Sequence, residues 1–297
     1  MAFEPAKTLG LVVGLIILLT IVAVDLFLID WTLRQHFDLG SYLTGLLLVF
    51  SLPLLALLGY WYYGLLALRY YLDRNALVIG CGAFRRVVPL DSIVSIVPGS
   101  QVTVSRGFRG IGWPGYLRGR MRLRGLGVIL VHSSEPLDRQ LVVVTRSGCY
   151  GISPQDTQLF SEALWVRRTL GPTRVVERTV ELEPIAALSI WRDRWFWAII
   201  ALAFVADAAL FGYIARVYAL LPARMLLRFR AHGEIGRIVP KTSLLLVSGI
   251  GAFTLGINAG LGFLIHRHER LAAYLLVVLS LAIQPILWWA VAAMVSL

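Results

Sequence analysis

The sequence predicts an α-helical multi-pass membrane protein of about five helices, with a small β domain inserted between the second and third. Three observations carry that expectation. The chain is 58% hydrophobic and only 15% charged, where soluble domains carry about 25% charged residues, and its mean hydropathy is +0.75. Five apolar segments, about 8–30, 41–68, 195–221, 242–265 and 271–295, each supply the roughly 20 residues that cross a bilayer core as a helix. The one long polar interval, 69–194, holds 18 arginines against 10 acidic residues and is broken into short β-branched runs.

The elements follow in order. The apolar run from Leu9 to Ile29 is too long for a signal-peptide core and no small-residue cleavage site follows, so it reads as a retained helix. The polar stretch WTLRQHFDLG separates it from the second helix. Pro53 and Pro285 are expected to kink the second and fifth. In the polar interval, YYL, ALVIGC, RRVVPLDSIVSIV, QVTVS, RMRLRGLGVILVH, RQLVVVT and CYGI read as seven strands separated by Asn, Gly, Pro and Ser. ISPQDTQLFSEALWVRR then reads as a helix, with Ser153 as N-cap, Pro154 at the first helical position and Asp156 as the capping-box acid. Leu159, Phe160, Ala163 and Leu164 give it one apolar face. The expected organisation is a two-helix hairpin over 1–68, a β domain over 69–172, an amphipathic linker over 173–194 and a three-helix region over 195–297. The β domain is expected to be a small barrel or sandwich plugged by its C-terminal helix.

The run RNALVIGCGAFRRVVPLDSIVSI, the Gly- and aromatic-rich hairpin after it, and CYGISPQDTQLFSEAL resemble the bacterial pleckstrin-homology-like (PH) domain. Ile152, Ser153, Pro154, Asp156, Phe160 and Leu164 are the most specific part, and the resemblance covers roughly 70–168. It implies a PH-like fold and no catalytic residue. LPARMLLRFRAHGEIGRIVPK and the helix after it resemble a second module that accompanies such domains in bacterial membrane proteins.

Arginines near helix ends set orientation. Arg69, Arg74, Arg85 and Arg86 follow helix two and Arg174, Arg178, Arg192 and Arg194 precede helix three, whereas 31–40 has only Arg34. The β domain is therefore expected in the cytoplasm, at the inner membrane. The 222–241 loop, with Arg224, Arg228, Arg230, Arg237 and Lys241, runs against that assignment. Trp191, Trp195 and Trp197 fit an interfacial belt. Cys81 and Cys149 form no metal spacing and read as reduced, partly buried thiols.

RGFRGIGWPGYLRGRMRLRG, residues 106–125, holds six arginines, six glycines and no acid. If 117–124 is a strand, Arg118, Arg120, Arg122 and Arg124 share one face, about 6.6–6.8 Å apart. The preceding 107–116 reads as a loop presenting Phe108, Trp113 and Tyr116. With Arg106 and Arg109, this surface suits lipid headgroup phosphates or an acidic protein partner. Arginine forks phosphate oxygens bidentately, and four to six near an anionic leaflet would contribute about 4–6 kcal/mol. The alternative is a solvated face partly paired by Glu135, Asp138 or Asp156, its charge discouraging strand addition. The composition also resembles single-strand binders; no RNP-type motif accompanies it, and nucleic acid is not expected as a partner.

Asp207 falls twelve residues into helix three, about 18 Å along the axis. With Thr254 and Gln284 at similar depth, it could form a polar group near the midplane, either gluing helices or carrying a proton or ion step. Gly256 and Gly260 form a GxxxG element expected to pack helices, within the chain or between copies. In HRHER, 266–270, the two histidines point about 200° apart on a helix, so the stretch reads as a positive loop anchor. HExxH, Walker, GxSxG, CxxC and dinucleotide-binding motifs are missing. The expectation is a non-enzymatic protein with no catalytic residue, metal or cofactor. It would act as a sensor, scaffold or accessory subunit on anionic lipid or a protein partner, as a homo-oligomer or within a larger complex. The alternative is a small ion- or proton-coupled transporter subunit using Asp207.

Overall fold

The computed structural model describes residues 1–82, 84–171, 173, 179–182, 188–227 and 237–295. Arg174, Arg178, Arg228, Arg230 and, of the expected 173–194 linker, residues 174–178 and 183–187 lie outside them. The chain divides into two compact units, Met1–Val24 with Leu52–Ala187, and Asp25–Ser51 with Leu188–Leu297. A short strand β1 (Ala2–Phe3) precedes two long helices, α1 (Thr8–Arg34) and α2 (Leu39–Leu66), that contribute to both units.

The first unit is rich in sheet. Nine strands precede its helix: β2 (Arg69–Leu72), β3 (Ala76–Cys81), β4 (Phe84–Pro89), β5 (Ile93–Pro98), β6 (Val104–Trp113), β7 (Tyr116–Leu123), β8 (Gly127–Ser133), β9 (Leu141–Thr145) and β10 (Gly148–Ile152). Helix α3 (Thr157–Leu170) and β11 (Thr179–Leu182) follow. One sheet has the order β1-β2-β3-β4-β11, the other β5-β9-β10-β8-β7-β6. Two expected strands thus split in two: Leu90–Ser92 forms a 3-10 turn inside RRVVPLDSIVSIV, and a turn at 124–126 divides RMRLRGLGVILVH. The pairing leaves two open sheets; no hydrogen-bonded ring closes among the described residues.

Two further expectations are corrected here. Residues 107–116 are not a loop. They belong mostly to the ten-residue strand β6, and only Pro114 and Gly115 turn. Their glycines are there because the hairpin strands approach closely: a side chain at Gly110 would strike the Arg118 carbonyl, and one at Gly119 the Arg109 carbonyl. Helix α3 starts three residues later than expected, capped by Asp156, whose carboxylate accepts the Leu159 N–H at 2.8 Å. Ser153 is instead buried within the fold, its Oγ accepting the Ser134 N–H at 2.9 Å and its own N–H donating to the Tyr70 hydroxyl at 3.1 Å. Tyr70 in turn donates to the His132 carbonyl at 2.7 Å, and burial pushes its phenol up to about 12. Phe160 and Leu164, both fully buried, carry the apolar face of α3 into a core with Leu65, Tyr116 and Tyr150. Phe3 joins that core, edge-on to Phe160 with ring centroids 5.1 Å apart, so β1 belongs to the β domain although α1 and α2 intervene.

The second unit contains α4 (Arg194–Tyr218), the strands β12 (Arg224–Leu227) and β13 (Arg237–Pro240), α5 (Ser243–Ile265) and α6 (Arg270–Val295). With α1 and α2, this makes five helices long and apolar enough to cross a membrane. Their polarity is inverted relative to a water-soluble bundle: Leu246, Phe253, Leu275 and Trp289 point outward, while Asp207, Ser248, Asn258, Ser280 and Gln284 are buried. Asn258 donates to Ser280 at 3.0 Å, the side-chain bonding expected between helices in an apolar solvent. Gly251 and Gly262 meet neighbouring side chains closely, whereas a Cβ at Gly256 or Gly260 would touch nothing within 4 Å. The GxxxG pair therefore does not pack helices within this chain. Changing both to Ala should shift the thermal unfolding free energy of the purified chain by less than about 0.5 kcal/mol; a larger loss would show a contact between copies.

His266 is not a loop anchor. It is 2% exposed, and its Nε2 lies 2.9 Å from Asp193 Oδ2. Asp193 caps α4 through the Phe196 N–H and accepts the Tyr274 hydroxyl at 2.6 Å.

Candidate functional site

The expected arginine row lies on one face of the six-stranded sheet, and the register shows how it is built. Arg118, Arg120 and Arg122 of β7 stand opposite His132, Leu130 and Val128 of β8, and opposite Ile111, Arg109 and Arg106 of β6. Cross-strand partners share a face, so β6 extends the row sideways into a two-strand patch. Arg124 falls outside it, in the turn after β7, with its N–H donating to the Thr103 carbonyl.

Part of this patch forms the floor of a cavity of about 440 Å³. Arg109, Arg118, Arg120 and His132 line it from the second sheet, Phe84 and Arg86 from β4 of the first, and Tyr60 and Trp61 from the last turns of α2. Arg118 is held in place, its guanidinium 4.5 Å from the Phe84 ring centroid. Arg86 lies 5.7 Å from the ring centroid of Tyr150. Such stacking fixes the planar group, and the Tyr60 and Tyr116 hydroxyls also engage the Arg118 guanidinium. Taken as a sphere the space is about 9 Å across, and like charges at that spacing repel by about 2 kcal/mol per pair at an effective dielectric of 20.

No carboxylate relieves that repulsion among the described residues. Glu135 pairs with Arg139 and Asp156 caps α3, so neither serves the patch. His132 adds no charge: burial, with Arg86 and Arg118 nearby, pushes its imidazole down to about 3. Its Nδ1 is buried without a hydrogen-bond partner. Four guanidiniums, an unpartnered neutral imidazole and aromatic walls together suit an anion attached to an apolar body.

Trp113 and Tyr116 have a different role from the one expected. Tyr116 is fully buried, its hydroxyl 3.6 Å from the Cys81 sulfur. Trp113 donates through Nε1 to the Gly10 carbonyl at 2.9 Å. Between them Gly115, at φ +86°, approaches the Gly10 backbone too closely for any side chain. These residues clamp the hairpin onto α1, and Tyr116, fully buried, is closed to a partner. Arg106, Arg109, Arg120, Arg122 and Arg124 remain exposed. Arg86, His132, Tyr60 and Trp61 were missed from sequence. The aromatic run YWYY at the end of α2 was the available signal, but the register that brings β4 to it was not visible.

These features belong chiefly to residues 68–168 of the chain. Those residues match the family model of the bacterial PH domain. No curated protein and no solved structure gives a match. The cavity walls at Phe84, Arg86, Arg109, Arg118, Arg120 and His132 all fall inside the matched PH domain, while Tyr60 and Trp61 precede it.

In the helical unit, Asp207 and Gln284 do come together. The Gln284 amide approaches the Asp207 carboxyl without completing a hydrogen bond. Thr254 is not brought to them: the buried face of α5 runs through Ser248, Gly251, Leu255 and Asn258, and Thr254 lies off it. The glycine at 251 is what admits the carboxylate, since a side chain there would strike Asp207 Oδ1. Cys81 and Cys149 are both free and buried.

Proposed function

We propose that the chain is a non-enzymatic membrane protein whose PH domain binds anionic phosphate groups in the arginine cavity, acting as a membrane-surface sensor or scaffold on the cytoplasmic side. The observation that supports this reading most is the convergence of Arg86, Arg109, Arg118 and Arg120 on one cavity with no ion-paired acid among the described residues. Guanidinium–phosphate pairs are strong where water is partly excluded. Tyr60 and Trp61, at the end of an apolar helix, suit the boundary between headgroups and acyl chains. The exposed arginines beside the cavity would add attraction of about 1 kcal/mol each near an anionic surface. An acidic protein segment could use the same charges and is the other outcome of the test.

The test uses the full chain in nanodiscs of zwitterionic lipid, because β1 and α1 contribute to the β domain. Dioctanoyl phosphatidylglycerol, dioctanoyl phosphatidic acid and dioctanoyl phosphatidylcholine are titrated separately, with tryptophan emission as readout. Saturable binding of the anionic lipids, weakening with salt and lacking for phosphatidylcholine, is expected. Equal responses to all three would reject the anion reading.

A second reading, an ion- or proton-coupled step at Asp207, is favoured by its buried carboxyl oxygen that lacks a hydrogen-bond partner. It requires a pH-dependent flux in proteoliposomes that Asp207→Asn reduces at least tenfold; a wild-type chain with no flux ends it.

A further inference from the structure

A second cavity, of about 470 Å³, lies wholly within the helical unit, walled by the end of α1, the first turns of α2, and the middle of α4 with Ala252 of α5. Its volume is that of a small-molecule site. Phe37, Leu46, Val49, Phe204 and Phe211 make it chiefly apolar, and Asp207 is the one charged residue that lines it.

Of the polar side chains that line the cavity with Asp207, three are already committed and Gln35 is the exception. The Tyr42 hydroxyl donates to the Ala208 carbonyl, the Ser41 hydroxyl to the Asp38 carbonyl, and the Thr32 hydroxyl to the Leu28 carbonyl. Gly251 contributes no side chain, and Gln284 closes no hydrogen bond to the acid. Asp207 Oδ1 is left buried with no partner, on a residue 5% exposed. A carboxyl group in such surroundings is costly unless a proton or a cation neutralises it. Among the lining residues there is no Lys, Arg or His to do so.

We propose that this cavity binds a lipophilic primary amine, with its ammonium on Asp207 and its alkyl body against Phe204, Phe211, Leu46 and Val49. The ammonium supplies the counter-charge that no lining residue gives the carboxylate, whose Oδ1 is itself turned toward Gly251. The wall selects against a hydrated ion, which needs a full shell of oxygens. Asp207 and Gln35 are the only polar side chains of the described lining not already hydrogen-bonded. The wall favours instead a chain that removes apolar surface from water or loosely packed lipid. The inference is independent of the arginine cavity: either can fail without the other.

The experiment labels the full wild-type chain in nanodiscs with dicyclohexylcarbodiimide, an apolar reagent that adds to protonated carboxyl groups, and locates the adduct by peptide mass spectrometry. Asp207 should be labelled, and dodecylamine should slow consumption of the unmodified Asp207 peptide at least tenfold by displacing the proton. Consumption is the readout because a primary amine also captures the activated carboxyl as an amide. Dodecanol at the same concentration should slow it less than twofold. Asp207→Asn should lack the adduct, and Asp25, which already accepts the Ser51 hydroxyl at 2.8 Å, serves as an internal reference carboxyl. The proposal is overturned if Asp207 resists the reagent without amine, if dodecylamine leaves the rate unchanged, or if dodecanol protects equally. The measurement is made on unmodified protein, so a folding defect in the variant does not affect it.

Discussion

Reversing Arg118 and Arg120 together to Glu should lower the affinity for dioctanoyl phosphatidic acid by at least about 100-fold, while Arg122→Glu with Arg124→Glu should lower it less than about fivefold. Both doubles remove the same net charge, so the comparison separates a shaped site from a general basic surface. Arg118 and Arg120 line the cavity with Arg86 and Arg109, whereas Arg122 and Arg124 do not. A hydrogen bond to a charged group contributes about 1.5–3 kcal/mol, so losing two gives at least the stated factor at 1.4 kcal/mol per decade. The outer pair acts only through the screened field, over a Debye length of about 8 Å at physiological salt. Equal losses in the two doubles, measured by the nanodisc titration, would replace the cavity with a diffuse surface. Circular dichroism must match wild type in both, since Arg118 also packs on Phe84.

Asp193→Ala should destabilise the helical unit by about 2–4 kcal/mol, read from thermal unfolding of the purified chain by the emission of Trp191, Trp195 and Trp197. One part, about 1 kcal/mol, is the lost N-cap of α4. The rest comes from stranding the Tyr274 hydroxyl and the His266 imidazole, at about 1–3 kcal/mol for a buried polar group left unpaired. The same cluster sets an acid limit. The Tyr274 hydroxyl, then the His266 imidazole and the Phe196 N–H, hold the Asp193 carboxyl down at about 2, from an ordinary 3.8, against burial, which pushes it up. A depressed carboxylate stabilises the fold fully above its unfolded value, and that stability is lost as pH falls toward the folded one. The wild-type chain should therefore lose stability between about pH 4 and pH 2, and the variant should lose less across that window. A change under about 0.5 kcal/mol in Asp193→Ala would show that the cluster does not hold α4.

The helices were legible because composition and length decide them: all five expected segments correspond to helices, with ends displaced by a few residues. The PH domain was legible from Ile152, Ser153, Pro154, Asp156, Phe160 and Leu164; Phe160 and Leu164 form the apolar face as expected, whereas Ser153, Pro154 and Asp156 take other places. Asp156 caps the helix, and Ser153 ties Tyr70 to Ser134. Alternation placed Arg118, Arg120 and Arg122 on one face, since period two requires only that the segment be a strand. What alternation could not supply was register. The glycines of β6 were read as loop-formers because, in sequence, a glycine that relieves a close strand approach looks the same as one that turns. The same blindness put Tyr116 at the surface and left Arg86 and His132 out of the site. Thr254 differs for a related reason: position along a helix does not fix the face, and Thr254 lies off the buried face of α5.

The pairing of β1 with β2 has a consequence for how the protein is made. Ala2 and Phe3 are made before both long helices, yet their partners Tyr71 and Tyr70 emerge only after those helices have been synthesised. The core position that Phe3 occupies against Phe160 waits longer still. Completion of the β domain is thereby timed to follow synthesis of the helical hairpin, and a chain whose hairpin is threaded wrongly would carry Ala2 and Phe3 away from the sheet that needs them.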